Sequence, residues 1–194
     1  MSDVYTEMTR RWRERYPGAV ILPYDGAWPK IAESAFIAPT AVVIGNVTIG
    51  DEASVWYNAT VRGDIAPITI GRRSNVQDNT VVHVNMDAPV VVGEDVTIGH
   101  SAIIHGTTIH DATIVGMGAI IMSYSTIGRQ CVIAAGALVT ERTVVEDGSV
   151  MVGVPAKPRS ALDEAARRHL DGIAGRYLRV AERHRTATRE AIPE

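Results

Sequence analysis

A single cysteine, Cys131, stands among 194 residues, so no internal disulfide can form. That usage fits a reducing compartment, and a cytoplasmic location is expected. Long apolar runs are missing as well: no stretch approaches the roughly 18 consecutive apolar residues that a spanning helix needs. Met1 to Arg15 is charged and lacks the apolar core of a secretory signal. Charge of one sign is scarce too. The net charge is −3, with 46% hydrophobic and 21% charged residues, which excludes a disordered polyelectrolyte and suits one well-buried domain. The balance is uneven along the chain. Residues 157–194 carry nine Lys/Arg and six Asp/Glu, residues 1–16 carry four and three, and the middle carries six against thirteen. Such a middle is a poor match for nucleic acid or an anionic membrane, and neither partner is expected. The arginine-rich C-terminal segment reads as a solvated helix face.

Aromatic residues are few: three Trp, six Tyr and one Phe. Tyr5, Trp12, Tyr16, Tyr24, Trp28 and Phe36 all precede Ile37, and between Ile37 and Pro158 only Trp56, Tyr57 and Tyr124 occur. A core so poor in large rings must be built from small and β-branched side chains at close spacing, which points to a repeat.

What is present is a period of six. Ile49, Val55 and Val61 are followed by Ile70, Val76 and Val82, then Val92, Ile98 and Ile104, then Ile109, Val115 and Ile121, then Ile127, Ile133 and Val139. Four residues after each anchor the slot is usually small: Ala53, Ala59, Ser74, Thr80, Val96, Ala102, Thr108, Thr113, Ala119, Ser125, Cys131 and Ala137. Before Ile49 the register is ambiguous by one residue. No α-helix has this period, and simple alternation has period two. Short strands joined by tight corners do have it, three hexads closing one triangular coil. Each coil leaves an apolar face unpaired until the next stacks on it at about 4.8 Å. About five full coils and a partial N-terminal one are expected over residues 37–158.

Residues 1–36 form an N-terminal segment with a short helix around Thr6–Arg15. Pro155 and Pro158 end the repeats. Ser160 reads as an N-cap with Asp163 or Glu164 in the first turn. Leu162, Ala166, Leu170, Ile173, Tyr177 and Val180 or Ala181 then fall at helical spacing, giving one amphipathic helix over residues 159–187. Residues 188–194 are expected to fray.

Six histidines are present. His110, His169 and His184 read as solvated side chains. His83 follows Val82 and His105 follows Ile104, so the two share one slot a coil apart, and Arg62 holds that slot one coil earlier. Two imidazoles at that spacing can converge on one metal. His100 lies two residues after Ile98, on a different edge of the triangle. A three-fold arrangement of prisms brings the His100 edge of one chain against the His83/His105 edge of its neighbour. Three neutral nitrogen ligands with an open fourth position describe a catalytic zinc site. Imidazole also suits Fe²⁺. Three unrelated surface histidines are the plain alternative. Asp78 shares the slot of His100 one coil away, with Gln77 beside it; ligand orientation and ordinary corner chemistry both remain open for these two. Cys131 fills a small inward slot and reads as an inert buried thiol.

The repeat resembles the hexapeptide-repeat proteins, which implies a mainly β fold, a left-handed parallel β-helix with a C-terminal α-helix. Chain physics alone favours right-handed crossovers, so the hand comes from the resemblance. The run Val152-Gly153-Val154-Pro155-Ala156-Lys157 is similar to the end-of-helix signature of that superfamily. Val61-Arg62-Gly63-Asp64, Asn75-Val76-Gln77-Asp78-Asn79, His83, Ile98-Gly99-His100 and His105-Gly106 together resemble the gamma-class carbonic anhydrases, over roughly Phe36 to Lys157. That resemblance implies a homotrimeric lyase interconverting CO₂ and bicarbonate by attack of a metal-bound hydroxide. His83 and His105 of one chain and His100 of the next would hold the metal. Arg62 and Asp64 would make a contact across the interface, and Gln77 would bond the metal-bound water, supported by Asn75 and Asp78. Tyr177 matches a substrate-side position on the helix. The family's best-studied members carry acidic residues where this chain has Ile65 and Met86, which bears on proton export. Competing readings are a metal-dependent acyl-CoA thioesterase, an acyltransferase of the same superfamily, and a non-catalytic metal-holding scaffold.

Overall fold

While Val42–Ile49 and Thr60–Ile70 run longer, most hexads contribute a strand of two or three residues whose anchor points inward. A strand this short is stable only because parallel partners flank it on both sides. Ile98, for example, pairs with Val76 on one side and Val115 on the other. The computed structural model describes residues 3–191 and shows a parallel β-solenoid of about 7 turns. The anchors from Val43 to Val139 are buried in one continuous core. Burying each Val or Ile contributes roughly 1.5–3 kcal/mol.

The corners explain the third position after each anchor. Glu52, Arg73, Asp95, Ala112 and Gln130 stack along one edge, and Thr40, Asn58, Asn79 and Ser101 along another, all with φ between 50° and 70°. A left-handed residue other than glycine costs about 1–2 kcal/mol. The stack offsets this, because the N–H of such a residue donates to the preceding coil, to a carbonyl in Arg73 to Asp51, Asp95 to Arg72, Asn79 to Tyr57 and Ser101 to Asp78, and to a hydroxyl in Glu52 to Ser34 and Asn58 to Thr40. Strain at a corner is compensated only when coils stack.

The third edge breaks the repeat. Between Val61 and Ile70 the extra residues are carried within one long strand, Thr60–Ile70, between Val82 and Val92 they bulge out as a loop, and Ile104 to Ile109 is one residue short. The short hexad moves the small inward slot: Thr107 is buried, and Thr108, expected there, lies in a strand facing partly outward. His83 and His105 sit at this edge.

The ends depart further from expectation. The repeat begins before residue 37, because Val20–Leu22 and Lys30–Ile31 already pair with Val42–Ile49. Loops and Pro residues hid these first rungs, so the expected count of about five coils was too low. Register near Ile37 is settled by Ile37 pairing with Val55 and Val43 with Val61. Helix α1 (Asp3–Arg15) closes the first coil with Trp12 and Tyr16 buried, which accounts for the early cluster of aromatics. At the other end Ser160 is no cap. It lies in Lys157–Ala161, a strand that turns back antiparallel on Ser149–Val152. Asp163 caps instead, accepting from the Ala166 N–H at 2.8 Å. The expected single helix is two, α2 (Glu164–Asp171) and α3 (Ile173–Ala191), separated at Gly172. The segment expected to fray is helical to Ala191, and residues 192–194 lie outside the described part. No helix among the described residues is long and apolar enough to cross a membrane.

Helix α3 lies back over the first coils. Ala181 and Tyr177 pack on Phe36, Ala38 and Trp56, and Arg185 donates to the carbonyls of Ser34 and Ala35. His184 is not a solvated side chain. It sits half-buried against Trp56, with Nδ1 2.8 Å from the Tyr57 hydroxyl. His110 is exposed as expected, while the side chain of His169 lies outside the described part.

Candidate metal centre

Register alone makes His83 and His105 neighbours, since the two are direct strand partners, and Arg62 pairs with His83 in the same column. Their rings tilt so that His83 Nδ1 and His105 Nε2 lie 3.2 Å apart. Two nitrogens on one tetrahedral zinc, each at about 2.0–2.1 Å, stand roughly 3.3 Å apart. The pair therefore fits a metal with little movement.

Each imidazole is held from behind. His83 Nε2 lies 2.9 Å from Asp64 Oδ1, and His105 Nδ1 lies 2.8 Å from Ser123 Oγ. Arg62 pairs with the other oxygen of Asp64 within the chain. Burial presses the Asp64 carboxyl upward, but the His83 bond, its own backbone and the Arg62 charge outweigh this and hold it below the usual carboxylate range. Burial, the neighbouring His83 and Arg62 together lower the pKa of His105, so it is neutral and free to ligate at neutral pH.

His100 belongs to the same coil as His105 but lies on another face. Its Nδ1 is 2.7 Å from Asp78 Oδ2, which leaves Nε2 pointing away from that carboxylate. On this face Gln77 donates to Asn75 Oδ1 at 3.0 Å, and Asn75 donates to Thr97 Oγ1 at 2.9 Å, all three buried. Tyr177 reaches the same place from α3. Its ring stands edge-on to Trp56 with centroids 5.7 Å apart, and its hydroxyl meets Gln77; burial and the Asp78 charge push its pKa up.

The expected site residues thus fall into two groups. Arg62, Asp64, His83 and His105 share one edge; Asn75, Gln77, Asp78, His100 and Tyr177 share another face. Within one chain, among the described residues, no three His, Cys, Asp or Glu side chains converge as a metal set. Two supporting residues went unread in the sequence. Thr97 is the strand partner of Asn75 and was legible by counting slots. Ser123 lies at a corner beyond the short hexad, where slot counting gives no signal. Ile65 and Met86 are 49% and 79% exposed, so the rim beside Asp64 and His83 is apolar.

The family model for bacterial transferase hexapeptide (six repeats) matches residues 29–63 and 106–141. A carbonic anhydrase of Geobacillus kaustophilus is 37% identical over 87% of this chain and 96% of its own length. The mitochondrial gamma carbonic anhydrase 2 of Arabidopsis thaliana is 39% identical over 80% of this chain. The chain belongs to the gamma carbonic anhydrase family. It spans 58% of the length of that Arabidopsis gamma carbonic anhydrase. A solved Bacillus cereus structure, named as a candidate acetyltransferase, superposes with TM-score 0.85 at 36% identity over 88% of this chain and 99% of that one. Gamma carbonic anhydrase membership and a transferase-like solenoid are therefore compatible, since one fold hosts several chemistries.

Proposed function

We propose that this protein catalyses the reversible hydration of CO₂ at a metal held between subunits of a homotrimer, by His83 and His105 of one chain and His100 of the next. The observation that carries this reading is the 3.2 Å approach of His83 Nδ1 and His105 Nε2, each imidazole backed on its far side. A metal at such a site, Zn²⁺ or Fe²⁺, lowers the pKa of a water to about 7 and so supplies a nucleophile at neutral pH. The chain's own residues do the rest. Asp64 and Asp78 orient His83 and His100 and raise their basicity. Asn75 engages the amide nitrogen of Gln77, which leaves the Gln77 carbonyl to orient a water, with Tyr177 fixing the outer side. The Arg62 guanidinium favours an anionic product beside His105. A trimer is supported by the exposed apolar column Val81, Ile103 and Ile120, which runs beside the two histidines.

The test is stopped-flow CO₂ hydration by protein of known metal content, prepared aerobically with zinc and anaerobically with iron, with His105→Ala as blank. Activity that tracks metal and vanishes in the blank is expected. Full metal occupancy without hydration in either form would refute the reading. Hydrolysis of acyl-CoA thioesters is the second reading, favoured by the apolar rim of Ile65 and Met86.

A further inference from the structure

Two side chains of α3 grip one ring of the solenoid. Tyr177 and His184 are seven residues apart, close to two helical turns, so they project from one face of the helix. Both stand edge-on to Trp56, with ring centroids 5.7 and 5.1 Å away. Trp56 is 4% exposed and its Nε1 donates to Ser54 Oγ at 3.0 Å, so this ring is itself fixed. Each of the two residues also makes a polar contact beside the ring. The Tyr177 hydroxyl meets Gln77, and His184 Nδ1 lies 2.8 Å from the Tyr57 hydroxyl. Register puts these partners on consecutive coils. Val55 pairs with Val76 and Val76 with Ile98, so Trp56 precedes Gln77 in one column, and Tyr57, Asp78 and His100 follow one another in the next. The helix therefore meets the solenoid on the face that carries His100.

What holds Tyr177 against Gln77 lies downstream of it. Upstream, the break at Gly172 separates α3 from α2, and Gly175 has nothing within 4 Å of where a side chain would stand. Ala174 and Ala181 are buried, but a methyl contact has no direction and tolerates sliding. Arg185 bonds the carbonyls of Ser34 and Ala35 through a long side chain that follows small displacements. A slip of one residue advances a helix by about 1.5 Å and turns it by about 100°, enough to carry Tyr177 off Gln77. The His184 bond resists such a slip, because it is short and directional. Its imidazole is also enclosed by Phe36, Trp56 and Tyr57, with centroids at 6.5, 5.1 and 5.6 Å. We infer that His184 and Tyr57 form a clasp that sets the seat of α3 and so positions Tyr177 on Gln77. Both are positioning residues, acting on the site through Tyr177.

The clasp takes its purpose from the hydration reading, and two readouts keep the two apart. The first is the side-chain amide of Gln77 in metal-free protein, followed by ¹⁵N–¹H correlation. His184→Ala and Tyr57→Phe should both move it toward its position in Tyr177→Phe. His184→Asn, which restores a polar atom near the place of Nδ1, should return it toward wild type. Tyr57→Phe keeps the ring and removes only the hydroxyl, so it decides if His184→Ala folds poorly. The second readout is stopped-flow CO₂ hydration by zinc-loaded protein. His184→Ala should lower kcat about tenfold, with the zinc Kd unchanged and no further loss in the Tyr177→Phe background. A Gln77 signal unmoved by Tyr57→Phe, or a kcat loss that adds in full to that of Tyr177→Phe, would overturn the clasp. Wild type that binds zinc without hydrating CO₂ would end the hydration reading, and the Gln77 amide alone would then decide the clasp.

Discussion

At the residue scale the site is decided by what stands behind each nitrogen. Asp78 fixes His100 with Nε2 bare, so Asp78→Asn puts an amide where a pure acceptor was and allows the wrong tautomer. Zinc affinity measured by chelator competition should fall about 10–100-fold, with the fold unchanged by circular dichroism. Cys131 shows the opposite, a titratable group removed from chemistry. Burial pushes its thiol up, and contacts with the Ser149 and Gly148 backbone together with the Arg167 charge do not overcome this. A raised thiol pKa means less thiolate at every pH, so a disulfide reagent at pH 8 should label Cys131 only after denaturant is added. Rapid labelling of the native protein would show that the slot is open. Counting six from each anchor made the residues at regular hexads, His83, His105, Asn75 and Asp78, legible in the sequence. Ser123 and His184 were not, because one depends on a missing residue in a hexad and the other on where α3 comes to rest.

At the element scale the corners and α3 carry the argument. Ala112 sits at φ 56° among stacked corners whose other members include Asp and Asn. Asn tolerates the left-handed region better than Ala, so Ala112→Asn should stabilise the protein by about 0.5–1 kcal/mol. A lowered melting temperature in that variant would show that the corner is set by packing and not by φ. The C-terminal helices α2 and α3 were legible as one amphipathic helix from Leu170, Tyr177 and Ala181, but its start and its break at Gly172 were not. Ser160 looks like a cap by residue type, yet Lys157–Ala161 gains more by pairing with Ser149–Val152, so Asp163 takes that role. The first rungs at Val20–Leu22 and Lys30–Ile31 were hidden for a related reason: a loop of seven residues separates them, and periodicity does not survive such an insertion.

For the whole molecule the decisive fact is that His100 and the His83/His105 pair lie on different sides of one prism. If each site takes two histidines from one chain and the third from its neighbour, then His100→Ala and His105→Ala chains, each inactive alone, should complement when co-expressed. Random cyclic assembly places an intact pair against an intact His100 at about a quarter of sites, and metal content should recover to that level. No recovery would mean that sites are not shared. The apolar column offers a second handle. Ile103 is exposed in one chain, and Ile103→Lys should give monomers by light scattering that retain the fold and lose metal. Trimers that persist would place the contact elsewhere.

The sequence by itself determined the solenoid, because a six-residue period of β-branched anchors admits no other regular packing, and it determined that His83 and His105 meet, because register is counted in whole hexads. Only the tertiary structure decided how many turns there are, which nitrogen of each imidazole faces the other, and that Ser123 and Tyr177 close around the two groups. Those outcomes depend on loops, a shortened hexad and a helix folded back from the far end. Contacts made across insertions and long separations follow from three-dimensional stacking and not from any local pattern.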